Sequence, residues 1–545
     1  MTRRVAACLA LQALALGPLL LALPGVSLND DWTQLFAFNA FLRDQLLQGE
    51  LPVRADWLGG GFPIAGHPEY AVLAPHTLLV LVAGPVAGIK LWHTLAAMLG
   101  TFGMYRFARD TLALEELPAT YAAATMATLG WTAAITASGN VPQVTNLWWP
   151  LLFWLVADGR WTRVAWAAVA VAVSLLDGHL NVIASLLVLG VAALAAGLRV
   201  FGRAVAAGAL GALLAGYKLV PTLALLQLED RAVESIEASR AGVADFLDVA
   251  GLVDGFPLGP LPWLLAGAGV IWGAVSSPHR RALVATVCVA AALWLGLGTP
   301  LFAHLPVLRS LDAPAKYFVA FGGFAVVALA ASVVGRLPAW AGRAALGLTV
   351  LPLLFGSWST LHGAVPAARD SMTHTAGLAE PVLTDAFERP WRGPAERKPD
   401  LYVLYRSGFH VVEWEDNFRL PTAITAAWRV DTQGILHPLP WTGPANARDA
   451  QVSALQLTPN RVSALVTATG PTELVVNTNG GSNWRCAPEH RPDAALLTVP
   501  VPAGTTDVEC EARSPPLLVG AGVTGIGLAL VLALVAGSRR QLKPA

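Results

Sequence analysis

Residues 1–32 read MTRRVAACLALQALALGPLLLALPGVSLNDDW: Arg3 and Arg4, an apolar run from Val5 to Leu28, and then Asn29-Asp30-Asp31-Trp32. A run of that length spans the ~30 Å of bilayer hydrocarbon at ~1.5 Å per residue. A cleavable signal peptide opens in the same way, with a basic start ahead of an apolar stretch. A membrane helix is the better reading because many further apolar runs follow. The whole chain is 55% hydrophobic and 13% charged over 545 residues, more apolar than one soluble core would require. Its net charge is zero, so no basic field favours nucleic acid as a partner.

Working outward, thirteen apolar segments recur, near 5–28, 71–88, 91–108, 116–138, 143–157, 162–177, 179–199, 203–226, 257–276, 281–299, 317–335, 340–357 and 516–537. Basic residues punctuate them at Arg3/Arg4, Arg106/Arg109, Arg160/Arg163, Arg199/Arg203, Arg280/Arg281, Arg336/Arg343 and Arg539/Arg540/Lys543. If basic loops stay cytoplasmic, both termini are inside and the crossings are even in number. The segment to drop is 71–88, interrupted by Pro75, Gly84 and Pro85. The expected fold is a polytopic α-helical membrane protein of about twelve transmembrane helices with a C-terminal periplasmic β-rich domain, in a bacterial inner membrane. Its expected parts are a transmembrane domain over 1–357 with a first outer loop at 29–90, the β-rich domain over 358–515, and a last helix with a basic tail over 516–545. Short β-prone stretches such as Val462 to Val466 and Glu473 to Asn477, with Gly480-Gly481 as punctuation, mark the β-rich part.

This alternation brings Asn29, Asp30, Asp31, His67, Glu69, Asn140, His179, Glu229, Asp230, Arg231, Asp312 and Lys316 to one outer face. Polar residues gathered at one membrane border point to chemistry there, although acids and aromatics also end helices simply because water begins. Trp32 fits headgroup depth. His67 and Glu69 have a metal-like spacing and His179 follows Asp177 closely, but two-residue signals make pocket candidates and not zinc ligands. Cys8 and Cys288 fall in apolar runs, whereas Cys486 and Cys510 lie in the polar C-terminal part and are a candidate disulfide in an oxidising compartment. Gly520-Ala-Gly522-Val-Thr-Gly525 matches a dinucleotide-binding pattern in form. Inside an apolar span, small residues at that spacing are better explained by close helix packing.

After the first span a series of motifs follows in order. Asp31-Trp-Thr-Gln34 leads to Gly49-Glu-Leu-Pro52, Asp56-Trp57, Gly59-Gly-Gly-Phe-Pro63 and Pro68-Glu-Tyr-Ala-Val-Leu-Ala-Pro75. Gly178-His179, Pro221 with Glu229 and Arg231, and Asp312-Ala-Pro-Ala-Lys316-Tyr317 follow in order, then Thr458-Pro-Asn460, Trp484 and Val501-Pro-Ala-Gly504. This order resembles the YfhO-like membrane glycosyltransferases of the GT-C class, and two positions depart from that family's pattern, Asn483 ahead of Trp484 and Thr422 after Leu420-Pro421.

The resemblance implies an enzyme that takes a hexosyl or pentosyl group from a polyprenyl-phosphate carrier, among membrane lipid, and gives it to an envelope glycan, lipid or protein. It implies an acid in the first outer loop as the catalytic group, with Asp31 the first choice and Asp30 the second. A carboxylate that accepts the acceptor's proton makes a hydroxyl a better nucleophile, and cations stabilise a departing phosphate. Lys316, Arg231 and Lys218 are candidates for the phosphate; Asn29, Trp32, Gln34, His67, Glu69, His179, Glu229 and Asp312 complete the substrate-binding set. A divalent metal, Mg or Mn, is a candidate for Asp30 and Asp31, since hard cations take oxygen ligands. The competing reading is a non-catalytic lipid-linked-saccharide transporter or envelope assembly factor.

Overall fold

The computed structural model of the chain describes residues 3–23, 30–55, 61–67, 70, 73–137, 139, 141–177, 182–226, 260–273, 277–294, 315–376, 428–430, 436–438, 445–447, 450–494 and 496–540. It is mostly helical, with sheets confined to the C-terminal third. The apolar runs fold into α1 (Arg3–Ala15), α2 (Gly17–Leu21), α3 (Asp30–Leu47), α4 (His76–Ala83), α5 (Pro85–Arg106), α6 (Glu116–Ala127), α7 (Gly130–Ala137), α8 (Trp149–Ala157) and α9 (Trp161–Leu176). They continue as α10 (Val182–Ala196), α11 (Leu198–Leu214), α12 (Gly216–Leu226), α13 (Pro260–Gly273), α14 (Pro278–Trp294), α15 (Ala315–Val334), α16 (Ala339–Ala376) and, after the sheets, α17 (Pro515–Arg540). One apolar core, from Val5 to Leu361, joins most of the helices before the sheets, and a smaller cluster of Leu19, Trp32, Leu35, Phe36, Val80, Val86 and Ile89 packs α3 and α4 against α2 and α5.

Several runs expected as single crossings are broken, each for a local reason. The first run divides at Leu16, because Pro18 has no N–H to continue the ladder. The run near 116–138 divides after Ala127: Thr128 turns its hydroxyl back on the Ala124 carbonyl at 3.0 Å, and Ser357 of α16 donates to the Thr128 carbonyl at 3.0 Å. Half of the segment near 143–157 is a 3₁₀ helix, Val141–Trp148, leaving α8 nine residues long. Between α11 and α12 the chain bends by 79°. Among the described residues two helical stretches, Ala339–His362 and Pro515–Gly537, are long and apolar enough to cross a membrane alone, and the bent pair is long and apolar enough only if its two helices count as one span. The twelve expected crossings are therefore not recovered as twelve straight helices. Within the stretch expected as the first outer loop, Asp30–Leu47 is the 18-residue helix α3. Likewise α16 runs past the boundary expected at 357, with Leu361 fully buried in the helical core.

Helix ends with basic residues meet at one end of the bundle. Arg4 pairs with Glu116 at 3.4 Å, Arg106 and Arg163 stack on the Trp154 ring at 5.0 and 4.5 Å, and Arg203 approaches Gly159. Because α5 and α9 each run from or to this end, the start of α5 and the end of α9 lie at the other.

In the C-terminal part, β4 (Ala450–Thr458), β5 (Arg461–Ala468), β7 (Trp484–Ala487) and β9 (Gly504–Ala512) form an antiparallel sheet in the order β4-β5-β9-β7. A second antiparallel sheet takes β3 (Ala445–Ala447), β6 (Thr472–Asn479) and β8 (Leu496–Val501) in the order β3-β6-β8, and β1 (Trp428–Val430) pairs with β2 (Leu436–Pro438). Alternation decides the inner faces: Val462, Ala464, Val466 and Val508 from one sheet meet Leu474, Val476, Leu497 and Val499 from the other. Cys486 and Cys510 face each other in the β7–β9 register and are joined as a disulfide.

Candidate functional site

Asp30 and Asp31 are the first two residues of α3, and the next residue fixes how that helix sits. Trp32 is fully buried, and its indole N–H has a partner inside: Nε1 donates to the Thr136 carbonyl at 2.7 Å. His93 of α5 bonds the Thr136 hydroxyl at 2.7 Å and stands edge-on to the Trp32 ring at 6.0 Å. One turn earlier on α5, the buried Lys90 ammonium donates to the Ala22 carbonyl at the end of α2. The acid-bearing helix start is thus held on α5 and α7. Sequence reasoning missed Lys90 and His93, though their spacing with Thr94 and Thr101 marks a polar stripe along an apolar helix.

The chain after α3 is fastened at two places. At the first, Arg54 is buried, donates to the Gly61 carbonyl at 3.0 Å and the Thr478 hydroxyl at 3.2 Å, and lies 4.5 Å above the Trp484 ring. Asn460 ties the neighbouring residues, accepting from the Val53 N–H at 3.2 Å and donating to the Leu51 carbonyl at 2.9 Å. Gly49-Glu-Leu-Pro52, Thr458-Pro-Asn460 and Trp484, widely separated in sequence, are therefore brought together. Gly61 has φ +109°, and a Cβ there would lie 1.9 Å from an Arg54 nitrogen, so this turn requires glycine. At the second place the buried Lys218 ammonium donates to the carbonyls of His67 and Tyr70, and the Tyr217 hydroxyl donates to the Leu73 carbonyl at 3.0 Å. Lys218, a phosphate candidate from sequence, clasps this loop to α12. His67 is fully buried, edge-on to Phe38 and Phe62 at 5.2 and 5.4 Å.

A third cluster was not anticipated. His76, the first residue of α4, approaches Asp177 at the end of α9 to 2.9 Å, and both are buried. The His76 ring lies 5.8 Å from Trp92 of α5, which lies 6.2 Å from Trp148. Asp177 Oδ2, His76 Nε2 and Trp92 Nε1 are buried without hydrogen-bond partners, and the short His76–Asp177 approach is itself out of line for a hydrogen bond. Each such orphan costs ~1–3 kcal/mol. The readable signal was that His76 and Asp177 both fall in stretches assigned to one face.

Of the other expected residues, Gln34 is half-buried on α3. Lys316 is the second residue of α15, with its side chain outside the described set, as are the side chains of Asp30 and Asp31. Asn29, Glu69, Asn140, His179, Glu229, Arg231 and Asp312 lie outside the described residues. Among the described residues no three His, Cys, Asp or Glu side chains gather as a metal would need; the metal candidates Asp30 and Asp31 fall outside that comparison.

No family model matches the chain. Nor does any curated protein sequence. Among solved structures, two similar ones are cryo-EM structures of a mutant arabinofuranosyltransferase AftD from Mycobacteria. One is 18% identical with a TM-score of 0.44, covering 66% of this chain and 28% of that one. The other is 19% identical with a TM-score of 0.44, covering 78% of this chain and 34% of that one. The chain spans about a third or less of the length of these structures.

Proposed function

We propose that the chain is a membrane glycosyltransferase of the GT-C class that moves a sugar from a polyprenyl-phosphate donor to a cell-envelope acceptor at the periplasmic face. Asp31 accepts the proton of the acceptor hydroxyl as its oxygen bonds the anomeric carbon. The bond from that carbon to the phosphate oxygen breaks, and polyprenyl phosphate leaves with the electron pair. Asp30 orients the acceptor, and the cations of Lys316 and Arg231 offset the phosphate's charge.

The observation that carries this reading is the fixing of the Asp30-Asp31 helix start. Trp32 pins it to Thr136, while Arg54 and Lys218 fasten the chain that follows to the β-sandwich and to α12. Positioning of that kind is what a catalytic carboxylate needs, since small displacements of a reacting group cost rate steeply. The test is label transfer from a panel of polyprenyl-phosphate sugars by the full chain in lipid, with Asp31→Asn and Asp30→Asn at matched folding. Asp31→Asn is expected to lower transfer by about 10²–10⁴-fold, the usual contribution of a general base. Folded protein that transfers from no donor would leave the transporter or assembly-factor reading in its place.

A further inference from the structure

Asp177, His76 and Trp92 come from three separate elements, yet each turns an unpartnered polar atom inward. His76 is 2% and Asp177 4% exposed, so bulk water does not satisfy them. Buried polar groups in folded proteins are nearly all paired, so three orphans side by side describe the complement of something outside the chain. The Trp148 N–H is already committed to the Ala96 carbonyl at 2.8 Å, leaving its ring to contribute a surface beside Trp92.

The chemistry of the set selects the ligand. Trp92 Nε1 always donates, Asp177 Oδ2 as a carboxylate always accepts, and His76 Nε2 does either according to its tautomer. A phosphate is chiefly an acceptor and brings negative charge against Asp177. A metal cation would face the positive end of the indole N–H. A hydroxyl both donates and accepts, and the apolar C–H face of a sugar ring suits the flat indole surfaces. We propose that His76, Asp177 and Trp92, beside the Trp148 ring, form a subsite for the hydroxyl groups of a neutral sugar; the choice of a sugar among hydroxyl ligands rests on the transferase reading. Trp92 and His93 are consecutive on α5 and so leave it about 100° apart. The same helix therefore meets Trp32 and the Asp30-Asp31 helix start through His93, and the subsite through Trp92.

The experiment is calorimetric titration of the full chain in lipid nanodiscs with methyl glucopyranoside and methyl arabinofuranoside, and with inorganic phosphate as competitor. At least one glycoside is expected to bind, with Trp92→Phe and Asp177→Asn each weakening it about tenfold or more and phosphate failing to compete. Trp92→Phe keeps the aromatic packing and removes the N–H, so it carries the test if Asp177→Asn does not fold. Absence of glycoside binding, affinities unchanged in both variants, or displacement by phosphate would overturn the subsite; unchanged affinity with an altered melting temperature would assign the cluster to a trapped water. Transfer measured on the same preparations separates the two readings. Transfer that persists while the variants bind as wild type sinks the subsite alone, and glycoside binding at these residues without transfer sinks the transferase alone.

Discussion

Trp32 joins the two residues that matter most for the proposed chemistry to the helical core. Its N–H satisfies a buried carbonyl, and its ring fills the space between Phe36 and His93. Trp32→Phe is expected to cost about 1 kcal/mol, since the bond is lost and most of the ring remains; Trp32→Ala should cost about 3–5 kcal/mol through the cavity it leaves. Chemical unfolding in detergent micelles measures both, and a Phe variant as damaging as the Ala variant would mean that the bond outweighs the packing. Sequence identified Trp32 as important but did not show that its ring is buried in the protein. Nothing local in Asn29-Asp30-Asp31-Trp32 reveals that the acceptor for its indole comes from Thr136, about a hundred residues later. His76 and Asp177 were hidden for the same reason: their significance lies in a pairing across a hundred residues.

At the scale of elements, apolar length and alternating β patterns were legible, while the breaks were not. A break needs a partner to satisfy the freed backbone, and those partners come from elsewhere, as Ser357 does for Thr128. The glycine pattern in α17 was read as packing, and two of its neighbours decide that reading: Gly520 lies against the Gly216 carbonyl, where a Cβ would come within 2.5 Å, whereas Gly522 faces open space. Gly520→Leu is expected to disrupt the α12–α17 contact and lower the yield of folded protein severalfold, with Gly522→Leu close to wild type; size-exclusion profiles of the solubilised protein compare them. The join between the first loop and the β-sandwich gives a separate test. Arg54→Ala removes a cation from the Trp484 ring and donors from two oxygens, so amide exchange over residues 51–55 should quicken by tenfold or more. The sandwich itself should keep its protection, because its core is closed by Val462, Val466, Leu497 and Val508 and by its disulfide.

For the molecule as a whole, the two ends differ in chemistry. Arg4, Arg106, Arg163 and Arg203 gather at one end through Glu116, Trp154 and the turn at Gly159, while Trp32, the His76–Asp177 pair, the Lys218 clasp and the β-sandwich occupy the other. Terminal helix α17 begins beside the sandwich and packs antiparallel to α11, Gly520 lying near Gly216 and Gly527 near Leu213, so its basic end returns toward the arginine-rich side. Basic turns are retained in the cytoplasm. The sandwich and the proposed active face should then be periplasmic, the compartment in which a disulfide persists. Single cysteines decide it, in a Cys288→Ser background that removes the exposed native thiol. Ser453→Cys on exposed β4 should react with an impermeant maleimide in right-side-out vesicles, and Arg160→Cys, at a position with a 75% exposed side chain, should react in inverted ones. The reverse pattern would put the acid-bearing helix start in the cytoplasm. Both residues reacting from one side would mean that the two ends do not lie across a bilayer, and the arginine cluster would then be a surface network and not a mark of orientation.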